Sequence, residues 1–359
     1  MTRRRYRTQE PPFNVTLELT RGCNLNCPFC AVSAIQEKQG RGYEFMKKET
    51  LVKALTDVRA LGWNCRVGFA MRGEPTMHPD YVGMMAATRE CLPKAHITML
   101  TNAGGLLRKP GPVANVTALF DAGVSVLGLD DYENVKFVEK VIAAIEEKGK
   151  LRSGVKHPLG FTYYDYPRDI RGNPHKRRRP GTRTLVKIRD LASQAADKKI
   201  GNHGKVFNYA GLAFAPDDSM AGKRCHHPFR QIAIHWDGNV PLCCNTWDSP
   251  YFVGNTNETN IGELWQGDAM GAAREKLIRG ERDFTPCRGC NHRSYRVGLL
   301  PDLMGQGKLH KPDAQTAADI QEALSHGRRD EVVRLPWKDR EPVPAYQGPR
   351  GGDDASAEA

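Results

Sequence analysis

Asn14-Val-Thr-Leu-Glu-Leu-Thr-Arg-Gly-Cys-Asn-Leu-Asn-Cys-Pro-Phe-Cys30 decides the fold and the chemistry together. Its first half, Asn14 to Thr20, alternates apolar and polar residues in a strand-like run. Its second half sets Cys23, Cys27 and Cys30 within eight residues, spaced C-x3-C-x2-C. A tight loop holding three cysteines suits three irons of a cubane iron–sulfur cluster and leaves the fourth iron without a protein ligand. An open iron can bind a small molecule and pass it an electron, which a closed structural metal site cannot do. With ten cysteines in 359 residues, three at these spacings arise by chance on the order of once per hundred such chains.

The chain is long enough for a barrel-sized domain plus a smaller one, and its 40% hydrophobic content supports a sizeable core. No run approaches the length of a membrane span, and the basic start Met1-Thr-Arg-Arg-Arg-Tyr-Arg7 lacks the apolar stretch of a secretory signal. A reducing cytoplasm is therefore the expected location, where clustered cysteines mean metal sooner than disulfide. The net charge of +12 is uneven: residues 165–205 hold twelve Lys or Arg against four Asp, centred on His175-Lys-Arg-Arg-Arg-Pro180. Such a run can track phosphates of a nucleic acid or nucleotide, or be a solvated loop; no aromatics interleave it as a stacking platform requires.

From residue 14 to about 210 the pattern alternates strand and helix, as in successive parallel βα units. Leu51, Leu55, Val58 and Leu61 predict a helix over 47–61. Strands follow at 65–71, 95–101, 124–129 and 157–164, with helices at 80–91, 112–122 and 135–145. Residues 184–196 read as a fifth helix and 205–209 as a sixth strand. Further on, 232–235 and 240–243 flank Asp237-Gly238 as a hairpin, and 261–279 reads as one helix. Residues 317–324 suggest a further helix, and the polar, Gly-rich 348–359 a disordered tail. The resulting domains are a basic segment at 1–13, a βα domain at 14–215, a small α+β domain at 216–300 and a polar extension at 301–359.

The cysteine spacing, with aromatic Phe29 just before the last cysteine, resembles the radical S-adenosylmethionine (SAM) enzymes. That resemblance implies a partial (βα)6 TIM-like barrel with function gathered at the carboxyl ends of its strands. It also implies an open 4Fe-4S cluster on Cys23, Cys27 and Cys30 that cleaves SAM to a 5′-deoxyadenosyl radical. Phe29 matches the position that packs near the adenine. Arg72-Gly73-Glu74-Pro75 resembles the Gly-Gly-Glu-Pro motif that holds the methionine amino group, with Arg72 in place of the first glycine. Thr101-Asn102-Ala103 resembles the family's Thr-Asn-Gly stretch, which makes Asn102 a candidate contact. Asp130 falls where relatives show Ser-x-Asp, but Gly128 replaces the serine, so Asp130 reads equally as a ribose contact or a helix cap. Asn208-Tyr-Ala-Gly211 also has the look of these enzymes. Tyr163, Tyr164 and Asp165 are candidates to face substrate.

Cys225-x12-Gly238-x4-Cys243, followed by Cys287-x2-Cys290, resembles the auxiliary-cluster module of the same family in its shorter, one-cluster "twitch" form rather than the two-cluster "SPASM" form. Four thiolates would close a second 4Fe-4S cluster, leaving it to carry electrons. Cys244 reads as a spare, and Cys65 and Cys91 as buried hydrophobes. The expected function is hydrogen abstraction from a sugar-like, nucleoside-like or peptide substrate, with an electron donor such as flavodoxin or ferredoxin. Nucleic-acid or nucleotide modification by the same chemistry is the alternative. A different class, a non-catalytic zinc- and nucleic-acid-binding protein, would need His78 or His96 to complete the first cysteine group.

Overall fold

The computed structural model describes residues 11–292 except 28–29, 41, 133–134, 167, 175–177, 180, 190–207, 211–214 and 247–250. All of these lie in one compact unit spanning 1–297. Residues 205–207 of the sixth strand expected at 205–209, residues 190–196 of the expected fifth helix, the 317–324 helix, the tail and Phe29 fall outside the described residues, while Asn208 and Tyr209 are not strand.

A parallel sheet of seven strands forms the core. Its members are β1 (Asn14–Leu17), β4 (Arg66–Phe69), β5 (His96–Thr101), β6 (Val126–Asp131), β7 (Thr162–Tyr166), β8 (Thr184–Arg189) and β9 (Gln231–Ile234). They lie in the order β7-β8-β6-β5-β4-β1-β9. A short antiparallel pair, β2 (Thr20–Arg21) with β3 (Glu44–Phe45), extends from β1. Val15, Leu17, Val67, Phe69, Ile97, Met99, Leu127 and Leu129 are buried on one face, and Thr16, Gly68, Thr98 and Gly128 on the other, as expected of strands covered on both faces.

Helices complete the layers. In α2 (Lys48–Ala60), Leu51, Ala54, Leu55 and Val58 form the buried stripe, while Leu61 caps the helix and is 42% exposed. Asp80 caps α3 (Tyr81–Cys91) by accepting from Gly83 N at 3.0 Å. The helices α4 (Pro112–Asp121) and α5 (Phe137–Glu146) follow, and α5 is capped at Lys136, which removes Asp130 as a helix cap.

Three expectations need correction. Residues 184–189 are a strand, not a helix, and β8 inserts between β6 and β7. Leu185 and Val186 are fully buried there, and the β-branched Thr184, Val186 and Ile188 suit that pleated setting better than a helix. The Asp237-Gly238 turn closes, with Gly238 N donating to His235 O at 2.9 Å, but its arms go to different sheets. β9 joins β1 in parallel, whereas β10 (Asn239–Pro241) pairs with β11 (Phe252–Asn255). Last, beyond the single turn α6 (His227–Arg230), 261–279 is two helices, α7 (Ile261–Gln266) and α8 (Asp268–Ile278), broken at Gly267. Buried Arg274 of α8 ties them together, donating to Trp265 O at 2.6 Å and to Pro228 O at 2.8 Å.

Candidate active site

Because β1, β4, β5, β6 and β9 are parallel, their carboxyl ends share one edge, and the cysteine loop leaves β1 at that edge. Cys30 sits at the N-cap of α1 (Ala31–Gln39), and its N–H donates to Cys27 O at 3.0 Å. Ser33 Oγ donates to Cys27 O at 2.8 Å and Gln36 Nε2 to Cys23 O at 3.0 Å, so the helix grips the loop by its main chain. From β5, Asn102 Nδ2 donates to Asn24 Oδ1 at 2.9 Å and to Cys23 Sγ at 3.6 Å. Burial pushes the Cys23 thiol up to about 12, opposed by the Leu25 N–H and reinforced by Glu74, Cys30 and Cys27. A thiol disfavoured as the thiolate, beside two others, suits a cationic cluster whose charge drives off its proton.

The turn after β4 docks directly on this loop. Gly73 has φ +73°, and a Cβ there would lie 2.0 Å from Thr20 O and 2.7 Å from Gly22 O. Only glycine permits that approach. Glu74 N donates to Gly22 O at 3.0 Å. The Glu74 carboxylate is buried: Oε1 accepts from Thr76 N (2.9 Å), Thr76 Oγ1 (2.6 Å) and Thr101 Oγ1 (2.5 Å), and Oε2 from Asn102 N (2.8 Å). Burial raises its pKa against these hydrogen bonds. Pro75 is buried at the start of a short helical turn. Ala103, in the glycine position of Thr-Asn-Gly, keeps the left-handed conformation with φ +67°.

Asp130 is half-buried at the carboxyl end of β6. The missing serine at 128 has a steric cause: a Cβ there would meet Leu100 Cδ2 at 2.4 Å and Ile188 Cδ1 at 2.7 Å. Tyr163 packs into the core. Tyr164 carries the Arg171 and Arg178 guanidinium groups over its ring, and Asp165 pairs with Arg168. In the basic window, Arg168, Arg171, Arg183 and Lys187 are each paired with an aspartate, which spends charge that a phosphate-tracking stripe would present.

The second group assembles from separate segments. Cys225, Cys243, Cys287 and Cys290 line one cavity with His227, His292 and Arg282. Arg282 clamps the walls, donating to Lys223 O (2.8 Å), Arg224 O (2.8 Å), Cys290 O (3.3 Å) and His292 O (3.0 Å). Asn208 joins the opposite side, its Nδ2 donating to Gly289 O at 2.6 Å and its N–H to Asn291 Oδ1 at 3.0 Å. Burial pushes Cys290 up to about 11 and raises Cys287 well; a hydrogen bond with Cys244, then burial, raises Cys243. Tyr209 packs against the Ala31, Val32 and Ile35 cluster of α1, as Cys23 and Cys30 do, while the next residue, Ala210, lines the four-cysteine cavity.

Among the described residues, the one set of three Cys, His or acidic side chains whose ligand atoms fall within 4.8 Å of one another is His227, Cys243 and Cys244. A single tetrahedral zinc, with Zn–S about 2.3 Å, needs its sulfurs about 4 Å apart. Neither expected cysteine set is drawn in that far. His78 cannot complete a zinc site on the loop, because Nε2 donates to Met46 O at 3.0 Å and Nδ1 accepts from Asp80 N at 3.1 Å. His96 begins β5, level with Asn14 and so at the opposite edge of the sheet.

Sequence reasoning missed Thr76, Arg282, the partners of Arg72 and the contact of Thr101 with Glu74. Each is a common residue type whose role arises only when distant segments meet.

Comparison with known proteins agrees with this geometry. The model of the radical SAM superfamily matches residues 17–147, and that of an iron–sulfur cluster-binding (SPASM) domain matches 225–291. The chain belongs to the radical SAM superfamily. As in other members with an SPASM domain, its cofactors are SAM, a 4Fe-4S cluster and auxiliary iron–sulfur. The S-adenosyl-L-methionine-dependent 2-deoxy-scyllo-inosamine dehydrogenase of Niallia circulans is 22% identical over 79% of this chain and 94% of its own. The GTP 3′,8-cyclase of Paenarthrobacter nicotinovorans is 29% identical over 37% of this chain and 38% of its own. The crystal structure of BtrN in complex with AdoMet and 2-DOIA covers 80% of this chain and 96% of BtrN, at 18% identity and TM-score 0.53. BtrN in an open conformation gives TM-score 0.52 at 16% identity, over 79% of this chain and 94% of that one. These two structures share the fold. No helix among the described residues is long and apolar enough to cross a membrane.

Proposed function

We propose that this radical SAM enzyme oxidises a hydroxyl-bearing carbon of a small, sugar-like substrate. In this reading Cys23, Cys27 and Cys30 hold the SAM cluster, and Cys225, Cys243, Cys287 and Cys290 hold the auxiliary one. One observation carries it: a three-thiol loop and a separate four-thiol cavity stand in one compact unit, where Tyr209 packs on the α1 cluster that also takes Cys23 and Cys30 and the next residue, Ala210, lines the cavity. The match to a cyclitol dehydrogenase along 94% of that enzyme supports the substrate class.

When bound, the cofactors supply a 5′-deoxyadenosyl radical that takes one hydrogen atom from carbon and an acceptor for the next electron; with the hydroxyl proton released, the carbinol becomes a carbonyl. The protein's part is placement. The Gly73–Pro75 turn offers main chain and the remaining lone pair of Glu74 Oε2 to the methionine ammonium. Phe29 and Asp130 complete the nucleoside pocket, on the family pattern. Asn102 keeps Cys23 and Asn24 in register with β5. A flavodoxin- or ferredoxin-type donor provides the starting electron.

Anaerobically reconstituted protein is expected to carry about eight irons per chain, as two cubanes require. Dithionite and SAM should then yield 5′-deoxyadenosine. Among amino- and deoxycyclitols deuterated at the carbinol carbon, the substrate is the one that passes deuterium into that product. Fully loaded enzyme that forms 5′-deoxyadenosine but takes deuterium from none of them would overturn the substrate class. The absence of 5′-deoxyadenosine throughout would overturn the whole reading.

A further inference from the structure

Arg72 stands where the family motif has glycine, and its side chain turns away from the Gly73–Pro75 turn into a buried cluster. Its Nε and Nη2 fork onto the two carboxylate oxygens of Glu18, with Nη2 to Oε2 at 3.0 Å. The same Nη2 donates to His235 Nδ1 at 3.0 Å. A guanidinium has no acceptor atom, so His235 must accept at Nδ1 and carry its proton on Nε2. Trp236 N donates to Glu18 Oε2 at 3.2 Å, and Glu18 N to Ile234 O at 2.9 Å. Glu18, Arg72 and His235 are 1%, 8% and 2% exposed. They come from the ends of β1, β4 and β9, so the cluster sits where the sheet delivers the cysteine loop, the SAM-binding turn and the chain leading to Cys243.

Two further contacts make the arrangement a strut. Next to Arg72, Gly73 lies against Thr20 O and Gly22 O with no room for a side chain. One residue further, Glu74 reaches Thr101 and Asn102, and Asn102 reaches Asn24 and Cys23. The turn is therefore pinned on one side by the cysteine loop and on the other by a fork that β9 completes.

We infer that Glu18, Arg72 and His235 are positioning residues through which the segment carrying the auxiliary cysteines holds the Gly73–Pro75 turn in its SAM-binding geometry. The inference rests on the assignment of that turn to SAM. A bidentate fork with a third acceptor fixes the guanidinium in both direction and rotation, which a single ion pair does not. The hydrophobic alternative at position 72 would fill the space without fixing the backbone that follows.

The test uses full-length, anaerobically reconstituted protein. His235→Leu removes the third acceptor, and His235→Asn returns an amide oxygen near the place of Nδ1. Iron content is measured for each, together with SAM affinity and the change that SAM produces in the electron paramagnetic resonance of the reduced cluster. The expected result is wild-type iron in both variants. SAM affinity should weaken about tenfold in His235→Leu, equivalent to about 1.4 kcal/mol, with an altered SAM-bound signal, and both should recover in His235→Asn. Wild-type SAM affinity and signal in His235→Leu overturn the inference. So does equal weakening in both variants at equal iron, because only the leucine lacks an acceptor for Arg72. If either variant loses iron, Arg72→Lys, which keeps the charge without the fork, takes its place. SAM affinity at the wild-type level in Arg72→Lys overturns the inference, and weakening there supports it. If the wild-type protein shows no SAM response, the SAM assignment itself fails, which separates the two outcomes.

Discussion

The two cysteine sites solve one problem in opposite ways. The first draws its thiols from eight consecutive residues and is gripped from outside by α1, Asn102 and the Gly73 turn. The second draws four thiols from segments as far apart as 225 and 290 and closes them around a cavity held by one arginine. A local loop can keep a mouth open, because its geometry does not depend on being surrounded. A site built from distant segments gains order by enclosure, which suits electron storage and excludes substrate.

The largest expected effect breaks this comparison outright. Cys30→Ala should cost about four of eight irons and take 5′-deoxyadenosine formation to background. Cys287→Ala should cost the other four yet leave some 5′-deoxyadenosine formation while ending substrate oxidation. Iron analysis and product chromatography on the same samples read both. Equal loss of 5′-deoxyadenosine in both variants would remove the division of labour.

Next comes the clamp. Arg282→Met leaves its carbonyl partners without their buried donor and should destabilise the metal-free protein by about 3 kcal/mol. Urea unfolding measures that loss, and hydrogen exchange should localise it to the 223–292 region rather than to the cysteine loop. A uniform loss across both regions would mean that they share one clamp.

Gly128→Ser restores the family's residue but drives its Cβ into Leu100 and Ile188. A cost of about 2 kcal/mol without improved SAM affinity is expected. Tighter SAM binding would show that the pocket yields more easily than its neighbours suggest.

The smallest effect is a pH slope. Burial, aided by Arg72 and Arg21, lowers His235 to about 2, so the folded protein refuses a proton that the unfolded chain accepts below about 6.5. Stability from this group is complete above 6.5 and falls as pH drops. Glu18 runs the other way: burial, opposed by Arg72, raises it to about 7, so its contribution is present below about 4.5 and is lost as pH rises through 7. Because Glu18 remains in His235→Asn, the difference in unfolding free energy between variant and wild type isolates the histidine. That difference should shift in the variant's favour by about 1 kcal/mol per pH unit below 6.5, read from urea midpoints at pH 5, 6 and 7.

What the sequence made legible follows the same local-versus-distant divide. The loop could be read because its three cysteines are neighbours along the chain, and α2 because Leu51, Leu55 and Val58 recur at helical spacing. β8 is not legible as a strand, because Leu185 and Ile188 are also compatible with helical spacing; its place between β6 and β7 is settled by tertiary packing. The Asp237-Gly238 turn was visible, but a turn does not say which sheet each arm will join. Arg72 was seen as a departure from the motif, while its partners lay 54 and 163 residues away.

The parallel pairing of β9 with β1 bears on how such an enzyme can be taken apart. β9 shields a flank of the very strand that launches the cysteine loop. A chain ending before residue 225 would keep the SAM motifs but bare that flank as a row of unpaired amides and carbonyls, a template for sticking to its own copies. Deleting the auxiliary region would therefore yield an insoluble fragment instead of a simpler enzyme. The two cysteine regions are therefore to be expressed and engineered as one piece.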